Sequence, residues 1–204
     1  MTRAFRICYT SDTHGHIFPV DYATGNAKDC GLLNMAEDFT DDSWARRICG
    51  LPDREPMPMI AMDGGDTLQG TPYSQLFIGG DASNDDRTAV RGLPHPIATA
   101  FNAAGYSFVT LGNHDFNYGP RAIGDYLNAL DATCVCANVR DLTDRLPIRR
   151  YAFVDLPNGI RLGVTGLVTD WVNVWEDERH LTTLAVTDTW EAAQEMSEFL
   201  KSRW

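Results

Sequence analysis

Three short polar clusters in this sequence carry residue types that could coordinate a cation and act on a phosphate. They are Asp12-Thr13-His14, Gly65-Asp66 and Gly112-Asn113-His114-Asp115. Two carboxylates, an imidazole and an amide carbonyl are hard-to-borderline donors, suited to Mn, Zn, Fe or Co rather than to thiolate-preferring metals. Asp12 and His14, at i and i+2, can reach one ion together. Asp66 follows a bare Gly64-Gly65 turn and can come close enough to bridge two ions; Asn113 can take the second. Two divalent cations roughly 3.5–4 Å apart clamp the attacking and leaving oxygens of a phosphoryl transfer and lower the pKa of a bridging water. His114 and Asp115 form the candidate catalytic pair. His114 can hydrogen-bond a phosphoryl oxygen or protonate the leaving alkoxide, and Asp115 can orient a ligand from behind.

Each cluster alone is a weak signal, because Asp-x-His and Gly-Asp steps are common in ordinary turns. Their weight comes from what precedes them. Residues 5–10, 58–62 and 108–111 are apolar or alternating runs of strand length, and apolar runs of this kind occupy sheets covered on both faces. If those strands run parallel, all three clusters leave the sheet at one edge, where open α/β sheets place their ligand sites.

The elements needed to hold such a sheet can be read from the rest of the chain. Helical spacing is present over 32–39, with Leu32, Met35, Ala36 and Phe39 on one face, and a short helix is expected over 44–48. Residues 73–78 follow Pro72, a favoured first helical position. A helix over 95–104 is stopped by Gly105. Another covers 120–130, and a last one covers 188–204, with Asp188 and Glu191 as a capping box. A fourth buried strand spans 133–137. Two strand-like runs, 150–156 and 160–168, flank Pro157-Asn158-Gly159, a strong hairpin signal. The order is an α/β plan with a mostly parallel sheet. Residues 79–91 read as a polar surface loop and 170–180 as a loop whose Trp171 and Trp175 pack locally or offer a stacking surface. His16, His95 and His180 read as surface or loop histidines.

The totals exclude several classes. The 204 residues carry a net charge of −11 without a basic patch, which argues against a nucleic-acid polymer as partner. No apolar run reaches the roughly 18 residues of a membrane span, and nothing resembling a leader precedes the first strand. That pattern predicts a cytoplasmic protein as written, or a periplasmic or cell-surface one if cut from a longer precursor. Five scattered cysteines do not make a disulfide framework, and Cys134 and Cys136 read as small core residues.

The clusters and their surroundings resemble the calcineurin-like metallophosphoesterases. The stretches 63–72 (DGGDTLQGTP) and 111–119 (LGNHDFNYG) are similar to the bacterial 5′-nucleotidase and 2′,3′-cyclic-nucleotide 2′-phosphodiesterase branch. The resemblance implies a four-layer α/β/β/α sandwich and a dinuclear site that hydrolyses phosphate esters of nucleotides. It also implies that 1–204 is the N-terminal portion of a catalytic domain, incomplete at the C-terminus, since the family's later histidine ligands and its C-terminal nucleotide-binding domain have no counterpart here. Two expectations follow: weak metal occupancy with poor turnover by this chain alone, and an unpaired sheet edge open to self-association. Asn117 stands where the 5′-nucleotidase members carry an aspartate behind the histidine. This favours the diesterase side and leaves the orienter of His114 open. The alternative is a non-catalytic metal- or phosphate-binding fragment or pseudo-enzyme.

Overall fold

The computed structural model describes residues 3–52, 57–78 and 93–203. In chain order its elements are β1 (Arg6–Thr10), α1 (Leu32–Glu37), α2 (Ser43–Cys49), β2 (Met59–Asp63), α3 (Pro72–Ile78), α4 (Pro96–Ala104), β3 (Tyr106–Val109) and a 3-10 helix (Asn113–Tyr118). Then come α5 (Gly119–Ala129), β4 (Thr133–Val135), β5 (Val139–Asp141), β6 (Ile148–Arg149), β7 (Ala152–Asp155) and β8 (Arg161–Val164). The chain continues through α6 (Val172–Trp175), a second 3-10 turn (Glu178–His180), β9 (Leu184–Val186) and α7 (Thr189–Lys201).

Five strands form one parallel sheet in the order β1-β2-β3-β4-β6. Thr10 pairs with Asp63, and Asp63 with Val109, so the first three strands end side by side. Successive strands step across the sheet in one direction. Right-handed crossovers then put their helices on one face. Ile97, Phe101, Ile123, Tyr126 and Leu127 from α4 and α5 accordingly share a core with Ala61, Tyr106, Val109 and Cys134 from the strands. Burying a side chain of that size stabilises by about 1.5–3 kcal/mol.

Residues pointing the other way, Ile60, Phe108 and Val135, pack with Val154, Leu156, Leu162 and Val164 of the β7–β8 hairpin. The hairpin's outer face meets α7: the rings of Tyr151 and Phe199 lie 4.7 Å apart, Leu200 faces Gly163, and Arg150 pairs with Glu195. Helices, parallel sheet, hairpin and helix therefore form successive layers of an α/β fold.

Some local expectations changed. The 170–180 segment is not plain loop; it holds α6 and the second 3-10 turn. The short strands β5, β6 and β9 were not anticipated. In α1 only Leu32 is fully buried and Met35 is 38% exposed, so the apolar face is narrower than its spacing suggests. The loop expected over 79–91 lies outside the described residues. Cys134 and Cys136 are buried, and the cysteines are all free. Among the described residues no helix is long and apolar enough to cross a membrane.

Candidate metal centre

The loops leaving β1 and β2 are laced together by their backbones. The Asp12 amide donates to the Gly65 carbonyl at 2.9 Å, and the His14 amide donates to the Asp66 carbonyl at 2.9 Å. The third loop joins through a side chain, the His114 amide donating to Asp66 Oδ1 at 2.8 Å. Among the described residues four non-glycine positions adopt positive φ, and three are Asp12 (56°), His14 (47°) and Asp66 (56°). Backbone held in that sparsely populated region costs about 1–3 kcal/mol and persists where surrounding structure over-determines it. A Cβ on Gly112 would overlap the Asp66 carboxylate, so the close approach of these two loops requires glycine there.

The result is a convergence of donors. One ligand atom each from Asp12, His14 and Asp66 lies within 4.8 Å of the others. His14 Nδ1 sits 2.7 Å from the Gln69 carbonyl, which only accepts, so Nδ1 carries the hydrogen and Nε2 is left as a donor lone pair. A backbone carbonyl behind an imidazole is the usual support for a metal-binding histidine. Two carboxylates and one such imidazole fit a divalent cation.

Asn113, the first residue of the 3-10 helix, lies between Gly112 and His114, both of which touch Asp66. The His114 ring stands 5.4 Å from the His14 ring, edge-on. Asp115 does not face this group. It is 1% exposed, and its two oxygens accept four amide hydrogens, from Asp66, Thr67, Leu68 and Gly112. Burial pushes its carboxyl up, while those N–H donors pull it back down. Its chemical contribution is to hold the Asp66 turn against the Gly112 turn. Also buried, Asp63 accepts from Thr10 Oγ1 at 2.6 Å, the Gly65 amide at 2.9 Å and Thr67 Oγ1 at 3.0 Å. Burial outweighs these bonds and raises its pKa to about 6.

Beside His114 is a cavity of about 490 Å³ lined by Asn113, His114, Asn117, Val172, Trp175 and Glu176. His114 Nδ1 lies 3.0 Å from Asn117 Oδ1, and Asn117 Nδ2 donates to Glu176 Oε2 at 2.7 Å. Glu176 Oε1 lies 2.8 Å from His180 Nδ1. The sequence patterns do not single out Glu176, and His180 reads from them as a surface or loop histidine. The one signal available was their spacing of four, which suits a helical turn. His16 is exposed beside Tyr22. His95, half-buried in the loop ahead of α4, also caps that helix, Nδ1 accepting from the Ala98 amide, and burial lowers its pKa to about 4.

No family model matches the chain. Among curated proteins it is 26% identical over 203 residues to a 2′,3′-cyclic-nucleotide 2′-phosphodiesterase/3′-nucleotidase of Salmonella typhimurium, covering 93% of this chain and 28% of that protein. Among solved structures it matches the calcineurin-like phosphoesterase YfkN of Bacillus subtilis with a TM-score of 0.71 at 26% identity, covering 97% of this chain and 58% of that one. It also matches a 5′-nucleotidase precursor of Thermus thermophilus with a TM-score of 0.68 at 27% identity, covering 97% of this chain and 34% of that one. The chain thus spans about a quarter to three-fifths of the length of these proteins. In both sequence and fold, nearly the whole chain resembles the calcineurin-like phosphoesterases of the 5′-nucleotidase and 2′,3′-cyclic-nucleotide 2′-phosphodiesterase group.

Proposed function

We infer that this chain is the N-terminal portion of a metal-dependent hydrolase of nucleotide phosphate esters, acting as a 2′,3′-cyclic-nucleotide 2′-phosphodiesterase, a 5′-nucleotidase or both. The observation that carries the reading is the meeting of Asp12, His14 and Asp66 within 4.8 Å, at the carboxyl edge of a parallel sheet and beside His114. Asp12, His14 and Asp66 would hold one divalent cation, and the Asn113 carbonyl, with Asp66, would hold a second. When bound, such cations polarise phosphoryl oxygens and lower the pKa of a bound water. His114 lies beside the donors and opens onto the cavity, so it touches a phosphoryl oxygen or hands a proton to the leaving alkoxide. Asp115 positions the turns rather than the substrate. Asn117 favours the diester side of the activity.

The test is hydrolysis of 2′,3′-cyclic AMP and bis-p-nitrophenyl phosphate by the chain with Mn²⁺, alongside its Asp66→Asn variant. Turnover that the variant retains in full would overturn the assignment. A second reading rests on the donor count. Among the described residues the acidic and histidine donors within reach number three, enough for one ion and few for two. On that reading the chain binds one cation weakly and turns over poorly. Metal stoichiometry by calorimetry separates the two. The exposed side chains Ile7 (55%) and Tyr9 (64%) on edge strand β1 support self-association, which sedimentation would register.

A further inference from the structure

The hydrogen-bonded chain His114–Asn117–Glu176–His180 follows the wall of the cavity as far as Glu176, and its two ends come from segments 59 residues apart at the Asn117–Glu176 link. An asparagine amide has two nearly isosteric orientations, so which face it turns toward His114 is set by whatever holds its other side. Here that is Glu176, whose carboxylate can only accept. Burial alone would raise the Glu176 carboxyl. Hydrogen bonds with His180, the Asp177 amide and Asn117 outweigh it and hold the group below the ordinary range. The Asp177 amide, at 3.0 Å, and His180 Nδ1, at 2.8 Å, both meet Oε1, which leaves Oε2 to Asn117. Turning the amide over would set its carbonyl against that carboxylate at 2.7 Å and its NH₂ against the imidazole.

The geometry assigns Glu176 as the positioning residue for His114: by accepting from Asn117 Nδ2 it turns Asn117 Oδ1 toward the ring, which places the hydrogen on His114 Nδ1 and leaves Nε2 as the nitrogen that exchanges the proton. The catalytic consequence rests on the reading of His114 as the group that meets the phosphoryl or leaving oxygen. The tautomer does not. The arrangement also accounts for asparagine at position 117: the negative charge that a directly bound aspartate would supply stands one side chain further out, on Glu176.

Three forms test this by ¹⁵N imidazole shifts in metal-free protein, with circular dichroism to verify folding. In the parent, neutral His114 should show a pyrrole-type Nδ1 and a pyridine-type Nε2. In Glu176→Gln the glutamine carbonyl still serves Asp177 and His180, so its NH₂ faces Asn117 and turns that amide over; His114 should lose the parent pattern and shift toward the tautomer with hydrogen on Nε2. In Asn117→Asp/Glu176→Gln the new carboxylate accepts from both the ring and the glutamine, so the parent pattern should return. With Mn²⁺ and bis-p-nitrophenyl phosphate, Glu176→Gln should lose roughly ten- to a hundred-fold in kcat with KM little changed, and the double variant should recover most of it. An unchanged tautomer in Glu176→Gln, or a double variant that keeps the single variant's pattern, would overturn the assignment. The expected tautomer series without hydrolysis by any form would uphold it while refuting hydrolysis by this chain on its own, as the one-cation reading expects.

Discussion

The amide of His114 donates to Asp66 Oδ1 at 2.8 Å, and this bond ties the third strand end to the second. It gives Asp66 two separable duties, one as hydrogen-bond acceptor and one as charge. Asn at position 66 keeps an acceptor oxygen and tolerates the positive φ, so Asp66→Asn should fold. In chelator it should match or exceed the parent's stability by up to about 1 kcal/mol, because it removes like charge facing Asp12. Asp66→Ala loses the acceptor as well and should be less stable than Asp66→Asn by about 1 kcal/mol. Both should lose Mn²⁺ binding in calorimetry. Equal Mn²⁺ affinity in the parent and Asp66→Asn would remove Asp66 from the ligand set.

Asp115 gives a sharper stability test. Its oxygens serve four amides in pairs, Thr67 with Leu68 and Asp66 with Gly112. An asparagine placed there must aim its NH₂ at one of these pairs, whichever way it turns. Buried donors left facing donors cost about 1–3 kcal/mol each. We expect Asp115→Asn to lose at least about 3 kcal/mol in urea unfolding, and to release the Asp66 turn. A loss below about 1 kcal/mol would contradict the geometry.

Asp63 should give the protein a pH dependence of known sign. Its pKa is about 6 in the folded chain against 3.8 for an ordinary aspartate, chiefly through burial. A raised carboxyl favours the folded state while protonated. The contribution is complete below about pH 3.8 and is lost as pH climbs through about 6. The displacement corresponds to about 3 kcal/mol. Asp63→Asn removes the titration, so its stability relative to the parent should improve from about pH 4 to about pH 7. Urea titrations in EDTA at several pH values measure this without interference from bound cations. A difference that stays flat would mean that the Thr10, Gly65 and Thr67 bonds balance burial, and one that runs the other way that they outweigh it.

What could be read from the sequence was what local signals encode. A strand-like run followed by Asp, Asn or His marked each of the three strand ends, with glycine ahead of the polar residues at the second and third, and strand parallelism followed from the alternation with helices. Proline at 72 and 120 marked helix starts, and glycine at 105 a helix end, for the same reason. The support structure was not legible because it is made across the chain. Nothing near Asn117 announces Glu176, 59 residues on. Asp115 read as a site residue by its neighbours, yet its burial depends on amides from the 66–68 turn. Strands of two or three residues, such as β5, β6 and β9, are too short for a period to register. His95 needed its ring orientation to be recognised as a cap.

The cavity beside His114 leads to the last expectation. Trp175 lines it while remaining 63% exposed, and its ring lies 6.0 Å from that of Trp171, nearly parallel at 28°. Two exposed stacked indoles contribute little to the core, so Trp175→Ala should leave unfolding nearly unchanged. Trp175 does present a flat apolar face to the cavity, and a planar base stacked on such a face gains about 1–3 kcal/mol. On the nucleotide reading, Trp175→Ala should raise KM for 2′,3′-cyclic AMP by roughly five- to a hundred-fold while kcat holds. Hydrolysis of base-free ribose 2′,3′-cyclic phosphate should be unaffected, since that substrate has nothing to stack. If both substrates lose equally, the tryptophan shapes the loop rather than the substrate, and the base must be held by other groups.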